Sequence, residues 1–155
     1  MEARPVPAVD VLLVEDSEDD ILITKKALKD VKLLKRLRVV RDGQEALDFL
    51  YHQGKYAEER PPTPGLILLD INMPGLDGFH VLERLKADER RRAIPVIILT
   101  TSSREEDVVQ SYRSGACSYI TKPVGFAAFL AAARRFDAYW TAVSRIPGLP
   151  DGETA

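Results

Sequence analysis

Four separated pieces of this sequence end in residues with chemistry to offer: Val14-Glu15-Asp16, Leu69-Asp70, Leu99-Thr100 and Thr121-Lys122-Pro123. Carboxylates brought within a few ångströms of one another repel and call for a compensating cation. A donor set made only of oxygen favours a hard ion such as Mg²⁺, which takes one or two carboxylates and fills its shell with water and a phosphate oxygen. A hydroxyl (Thr100) and a compact ammonium (Lys122) add partners for an anionic oxygen. Together these types describe a site for Mg²⁺ and a phosphoryl group. Each also has a plainer reading when taken singly. Asp16 or Ser17 suits a helix cap, with Glu18 and Asp19 favoured by the helix dipole. Asp70 fits an ordinary turn, Thr100 a strand-end hydrogen bond, and Lys122 a solvated surface. The question is whether the fold brings them together.

The elements around them answer it. Val9–Val14 is short, apolar and β-branched, and reads as a buried strand. Ile21, Ile23, Ala27, Leu28 and Val31 then place an apolar stripe at helical spacing from about Ser17. Leu37–Val40 predicts a second strand, and Gln44–His52 a second helix. Gly54–Gly65 is polar and proline-bearing, which predicts a loop. Leu66–Leu69 is the third strand, and a Pro/Gly turn at 72–78 leads to a helix with Val81, Leu82 and Leu85 inward. The charge run Asp88–Arg92 predicts a solvated loop. Val96–Leu99 and Cys117–Thr121 are the last strands, with helices predicted over Arg104–Arg113 and from Gly125 to Arg145. Near-continuous apolar strands alternating with helices mean a parallel sheet covered on both faces. Right-handed crossovers make it a doubly wound α/β fold, and the strand order expected is 2-1-3-4-5. Ligands of such sheets bind beyond the carboxyl ends of the strands where the order reverses, here between the first and third strands. Glu15-Asp16 and Asp70 end those two strands, and Thr100 and Lys122 end the fourth and fifth.

Bulk properties narrow the function class. A chain of 155 residues fits one domain and is long enough to fold without a disulfide or metal staple. A formal net charge of −2 and a pI near 5.7 argue against a nucleic-acid binder. Hydrophobic content of 45% with 30% charged residues is that of a globular domain rather than a disordered tail. Cys117 is the single cysteine, which suits a reducing compartment and a small buried side chain. No apolar run approaches the roughly 18 residues of a membrane span, and the N-terminus lacks a signal-peptide pattern. A cytoplasmic protein is expected.

The motif set resembles the receiver domain of two-component response regulators. The matching residues are Val14-Glu15-Asp16 with Asp19-Asp20 behind, Leu69-Asp70-Ile71-Asn72-Met73-Pro74-Gly75-Leu76-Asp77-Gly78, Leu99-Thr100 and Lys122-Pro123. Thr100 follows Asp70 by 30 residues (70 to 100) and Lys122 by 52 (70 to 122), spacings that also fit. The resemblance implies a flavodoxin-like (βα)5 fold and a phosphoacceptor role for Asp70. It implies Mg²⁺ bound directly by Asp16 and Asp70, by Glu15 through a water, and by the backbone carbonyl of Asn72. Thr100 and Lys122 would hold the phosphoryl oxygens, with Thr100 and Tyr119 as switch residues and a cis peptide at Lys122-Pro123. Glu15 stands where the commoner residue is aspartate. Asn72 and Ser102 would tune hydrolysis.

On this reading, residues 1–8 are a lead, 9–145 the receiver and 146–155 a tail, with no output domain. The 33 residues after Lys122 (123 to 155) are too few for a DNA-binding effector. The chain would act as a phosphoacceptor rather than a turnover enzyme, apart from self-catalysed phosphotransfer and autodephosphorylation. The only histidines, His52 and His80, fall on separate helices, so the phosphohistidine must come from a sensor histidine kinase or a phosphotransfer domain. Phosphorylation would shift a two-state equilibrium on the face made by the fourth helix, fifth strand and fifth helix. The final helix carries Phe126, Phe129, Leu130, Ala133, Phe136, Trp140 and Val143, mostly core, with Tyr139 and Trp140 near its end available for a homodimer or kinase interface. The loop from Gln53 to Gly65, the Leu99-Thr100-Thr101-Ser102 segment and the Tyr119–Pro123 block are similar to regulators paired with bacterial phytochromes, which implies a light-sensing kinase and dimerisation through the last helices. Three other readings are weaker. A haloacid-dehalogenase-type phosphatase wants an acid where Asn72 stands. A flavin binder wants a Ser/Thr/Gly-rich loop where Glu15–Asp20 is acidic. A phosphorylation-independent pseudo-receiver scaffold would not need the full site.

Overall fold

Five short apolar runs lie side by side as parallel strands. In the computed structural model, which describes residues 9–32, 34–73, 75, 78–101 and 118–136, these are β1 (Val9–Val14), β2 (Leu34–Val40), β3 (Leu66–Asp70), β4 (Val96–Thr100) and β5 (Ser118–Thr121). They form one sheet in the order β2-β1-β3-β4-β5, all pairs parallel. That is the strand order expected from the sequence. Among the described residues, four helices cover the sheet: α1 (Glu18–Leu28), α2 (Gly43–Tyr51), α3 (Gly78–Lys86) and α4 (Phe126–Arg134). The helix predicted over Arg104–Arg113, the position of Cys117, and Tyr139 and Trp140 lie outside the described residues, as does the final helix beyond residue 136. Among the described residues, no helix is long and apolar enough to cross a membrane.

Side chains alternate across each strand, so the sheet feeds two cores. Leu12, Val14, Ile67, Leu69 and Ile98 pack with Leu47 and Leu50 of α2 and with Val81, Leu82 and Leu85 of α3. Val11, Leu13, Leu66, Leu68, Ile97 and Leu99 pack on the other face with Ile21 and Leu28 of α1 and with Phe129 of α4. Strands buried on both faces carry no polar alternation, which is why β3 and β4 read as unbroken apolar runs.

Three departures from the sequence reading have physical causes. β2 starts at Leu34 rather than Leu37. It is an edge strand, and its start is polar because Arg36 pairs with Asp10 of β1 at 3.0 Å. The predicted loop at 54–65 contains a 3₁₀ turn, Gly54–Tyr56, whose Tyr56 is buried edge-on against Phe49 with ring centroids 5.1 Å apart. The Tyr56 hydroxyl donates to Glu45 at 2.7 Å, which satisfies its polar end. The charge run at 88–92 is a structured turn as well. Asp88 accepts from the Arg90 backbone N–H at 2.8 Å, while the Arg91 guanidinium lies 4.2 Å from the centre of the Tyr51 ring and donates to the Leu50 carbonyl at 3.2 Å.

Local chemistry sets the helix starts. Ser17 caps α1, its hydroxyl accepting from the Asp20 N–H at 3.3 Å, and Glu18, Asp19 and Asp20 fill the first turn. Asp42 caps α2 by accepting from the Glu45 N–H at 2.7 Å. α3 starts at Gly78, where a Cβ would stand 2.6 Å from the Asp70 carbonyl oxygen and 2.7 Å from the Ile71 Cα. Only glycine lets that helix begin so close to the end of β3. Substituting Gly78→Ala should therefore push backbone against backbone and cost about 1–3 kcal/mol, the usual range for overpacking. Urea unfolding followed by circular dichroism checks this, and an unchanged midpoint would contradict the close approach.

Candidate functional site

The carboxyl ends of the strands are laced to one another before any side chain is considered. Glu15 N–H donates to the Val40 carbonyl at 3.0 Å, Ile71 N–H to Leu99 at 3.3 Å, and Lys122 N–H to Thr100 at 2.8 Å. In register, Asp70 pairs with Leu99 and Thr100 with Thr121, so Thr100 ends β4 one residue beyond the partner of Asp70. The rim thus fixes where Glu15, Asp70, Thr100 and Lys122 leave the sheet.

Lys122 stands at the centre. Its Nζ lies 2.6 Å from Glu15 Oε1, 3.0 Å from Asp20 Oδ2 and 3.2 Å from Asp70 Oδ2. Asp70 is buried, and its other oxygen, Oδ1, accepts from the Asn72 N–H at 2.9 Å. Glu15 Oε2 accepts from the Ser17 N–H at 3.2 Å. Glu15 Oε1 is buried and makes its contact with the Lys122 ammonium as an ion pair. Thr100 is buried at the same rim, and Tyr119 is partly exposed on β5. The Lys122–Pro123 peptide is cis.

Glu15, Asp16 and Asp70 each bring one carboxylate oxygen within 4.8 Å of the other two, Asp16 from the exposed side and the other two from inside. All three donors are hard oxygens, and two of them come from buried carboxylates. The set fits a hard divalent cation. It fits soft transition-metal chemistry poorly, since among the described residues neither thiolate nor imidazole contributes.

Among the described residues, charge in the crevice is out of balance. One ammonium faces the carboxyl groups of Glu15, Asp20 and Asp70. Burial pushes the Glu15 carboxyl up to about 7; the Asp70 charge adds to the rise and contact with Lys122 opposes it. For Lys122, burial acts to release the proton. The close contacts with Glu15 and Asp20 and the charge of Asp70 outweigh it, so the ammonium is held above the ordinary lysine range.

The sequence reading named Glu15, Asp16, Asp70, Thr100 and Lys122 for one crevice, and the structure gathers Glu15, Asp16, Asp70 and Lys122 there with Thr100 on the rim. It did not anticipate that Glu15 would contact Lys122 directly, or that Asp20 would join. The signal for Asp20 was present but ambiguous. Three acids fill the first turn of α1, and the sequence alone does not say which of them faces the crevice. His52 ends α2 in a left-handed conformation with its ring nitrogen 2.8 Å from the Pro61 carbonyl oxygen, and neither histidine joins the acidic cluster.

Residues 11–134 match the family model described as the response regulator receiver domain. The chain is 37% identical to the response regulator Rcp1 of Synechocystis sp. over 137 residues, covering 88% of this chain and 92% of Rcp1. A solved structure of Rcp1, in its Mn(2+)-bound form, superposes with a TM-score of 0.70 at 36% identity, covering 90% of this chain and 99% of that one. The bacteriophytochrome response regulator RtBRR gives a TM-score of 0.78 at 38% identity over 94% of this chain and 86% of its own. The phosphorylated cyanobacterial phytochrome response regulator RcpA gives 0.72 at 34% identity, over 91% and 99%.

Glu15 generates a pH prediction for the protein kept free of divalent ions by a chelator. Its carboxyl titrates near 7 in the fold and near 4.5 in the unfolded chain. Between those values the folded state holds a proton the unfolded state has released, so stability contributed here is present at low pH and lost as pH rises through 7. The slope is at most about 1.4 kcal/mol per pH unit. Glu15→Gln should be more stable than the wild-type protein at pH 7.5, with the gap closing as pH falls toward 4.5. Parallel pH profiles for the two proteins in urea unfolding would remove the assignment.

Proposed function

The chain belongs to the response regulator receiver domain family, and from that premise we propose that the crevice accepts a phosphoryl group on Asp70. The contact that carries this reading is Lys122 Nζ at 3.2 Å from Asp70 Oδ2, made across 52 residues of sequence. A solvated lysine and a turn aspartate have no reason to meet there. The receiver unit is taken to span residues 9–145.

The donor on this reading is a phosphohistidine of a sensor histidine kinase or phosphotransfer protein. An Asp70 carboxylate oxygen forms the new O–P bond as the P–N bond breaks, and the bonding pair returns to the donor imidazole, which takes a proton from solvent. The work of this chain is positioning and charge. Asn72 N–H fixes one Asp70 oxygen at 2.9 Å, which limits how the carboxylate can turn. Lys122 moves its charge from the carboxylate to the transferred oxygens, and Thr100 offers its hydroxyl to another. Mg²⁺ would be held by Asp16 and Asp70, by Glu15 through water and by the Asn72 carbonyl, and when bound it neutralises charge on the phosphoryl oxygens. Thr100 and Tyr119 serve as the switch, one closing on the new group and the other rotating inward. The half-open position of Tyr119 is compatible with such a movement.

Likeness to bacteriophytochrome and cyanobacterial phytochrome regulators supports a light-sensing kinase as the partner. The setting proposed is cytoplasmic, with output by protein contact and homodimerisation through the C-terminal helices rather than by turnover of a substrate.

Acetyl phosphate with Mg²⁺ should label the wild-type protein and fail to label Asp70→Asn, as read on a phosphate-affinity gel. Undiminished labelling of that variant would refute the acceptor assignment, and phosphotransfer profiling against phytochrome-type and other kinases tests the partner. Light scattering with and without beryllofluoride should report a dimer in at least one state. A monomer in both would remove the dimer.

A further inference from the structure

Asp20 lies on the first turn of α1, and its carboxylate has two possible employments. In a capping box, the acid three residues after the cap reaches back to the cap's own N–H. Here the Ser17 N–H is taken by Glu15 Oε2 at 3.2 Å, so Asp20 is released from that duty. Its Oδ2 instead meets Lys122 Nζ at 3.0 Å, across 102 residues of sequence. The Asp20 side chain is also the most accessible of the lysine's three partners, 29% exposed against 0% for Glu15 and 2% for Asp70. A carboxylate at that margin keeps part of its hydration and remains a counter-charge at little cost.

The other two partners have competing obligations. Glu15 and Asp70 belong to the group able to share a cation, and Asp20 does not. We propose, on the reading of Asp70 as phosphoacceptor, that Asp20 is a positioning residue. It is the carboxylate Lys122 retains when Glu15 and Asp70 turn to the cation and the phosphoryl group, and it keeps the ammonium aimed across the crevice. Without it, Lys122 must lean on the same two carboxylates the reaction needs.

The test compares wild type, Asp20→Asn, Asp20→Glu, Lys122→Ala and the double variant Asp20→Asn/Lys122→Ala, each checked for folding by circular dichroism. At saturating Mg²⁺, Asp20→Asn should slow labelling by acetyl phosphate about tenfold, the equivalent of about 1.4 kcal/mol. Asp20→Glu should recover most of that rate. In the Lys122→Ala background the Asp20→Asn change should cost nothing further, because its effect runs through the lysine. In metal-free protein, the Lys122 ¹⁵Nζ resonance, identified by its loss in Lys122→Ala, should shift in Asp20→Asn. A wild-type labelling rate in Asp20→Asn, an unmoved ¹⁵Nζ resonance, or an equal loss in both backgrounds would overturn the proposal. Labelling that survives Asp70→Asn would instead overturn the reading beneath it, so the two failures are distinguishable.

Discussion

One ammonium shut among acids is the constraint on which the rest of the crevice depends. The Lys122 side chain is 8% exposed, and a buried cation without counter-charge costs several kcal/mol. Its three partners come from the end of β1, the first turn of α1 and the end of β3, while the lysine itself follows β5. A parallel sheet is the arrangement that sends all those chain ends to one side. Placing β1 beside β3 then sets Glu15 and Asp70 next to each other, since Val14 and Leu69 are register partners.

Buried ion pairs are weak evidence of stability, because desolvation of the charges offsets their attraction. What holds the groups together is the apolar packing on both sides of the sheet, where β3 and β4 are buried along their whole length. The packing confines an excess of negative charge that has two routes to relief. A proton on Glu15 is one, and a divalent cation among Glu15, Asp16 and Asp70 is the other. Both draw on the same carboxylate. The state of the crevice is therefore set by what the solution supplies.

Much of this was legible in the sequence wherever burial is uniform. β1, β3 and β4 announce themselves because both faces are covered, and the strand-end positions of Glu15, Asp70 and Thr100 follow from that. Legibility fails where a residue's role depends on a distant partner. The start of β2 is hidden because Arg36 looks solvated until Asp10 lies beside it, and Tyr56 looks like loop until Phe49 and Glu45 receive its ring and hydroxyl. Arg91 sits in a run of charges, yet its guanidinium lies against Tyr51. Asp20 is the same case inside the crevice. Composition and periodicity see an acid in a helix's first turn, and only the tertiary fold shows the lysine it reaches.

The edge strand β2 carries a consequence of its own. Lys35 and Arg36 face outward along it, Arg36 bound to Asp10 and Arg38 to Glu59 at 2.6 Å. A foreign strand docking alongside would bring its backbone against those cations. Charge along that margin disfavours edge-to-edge pairing with another strand.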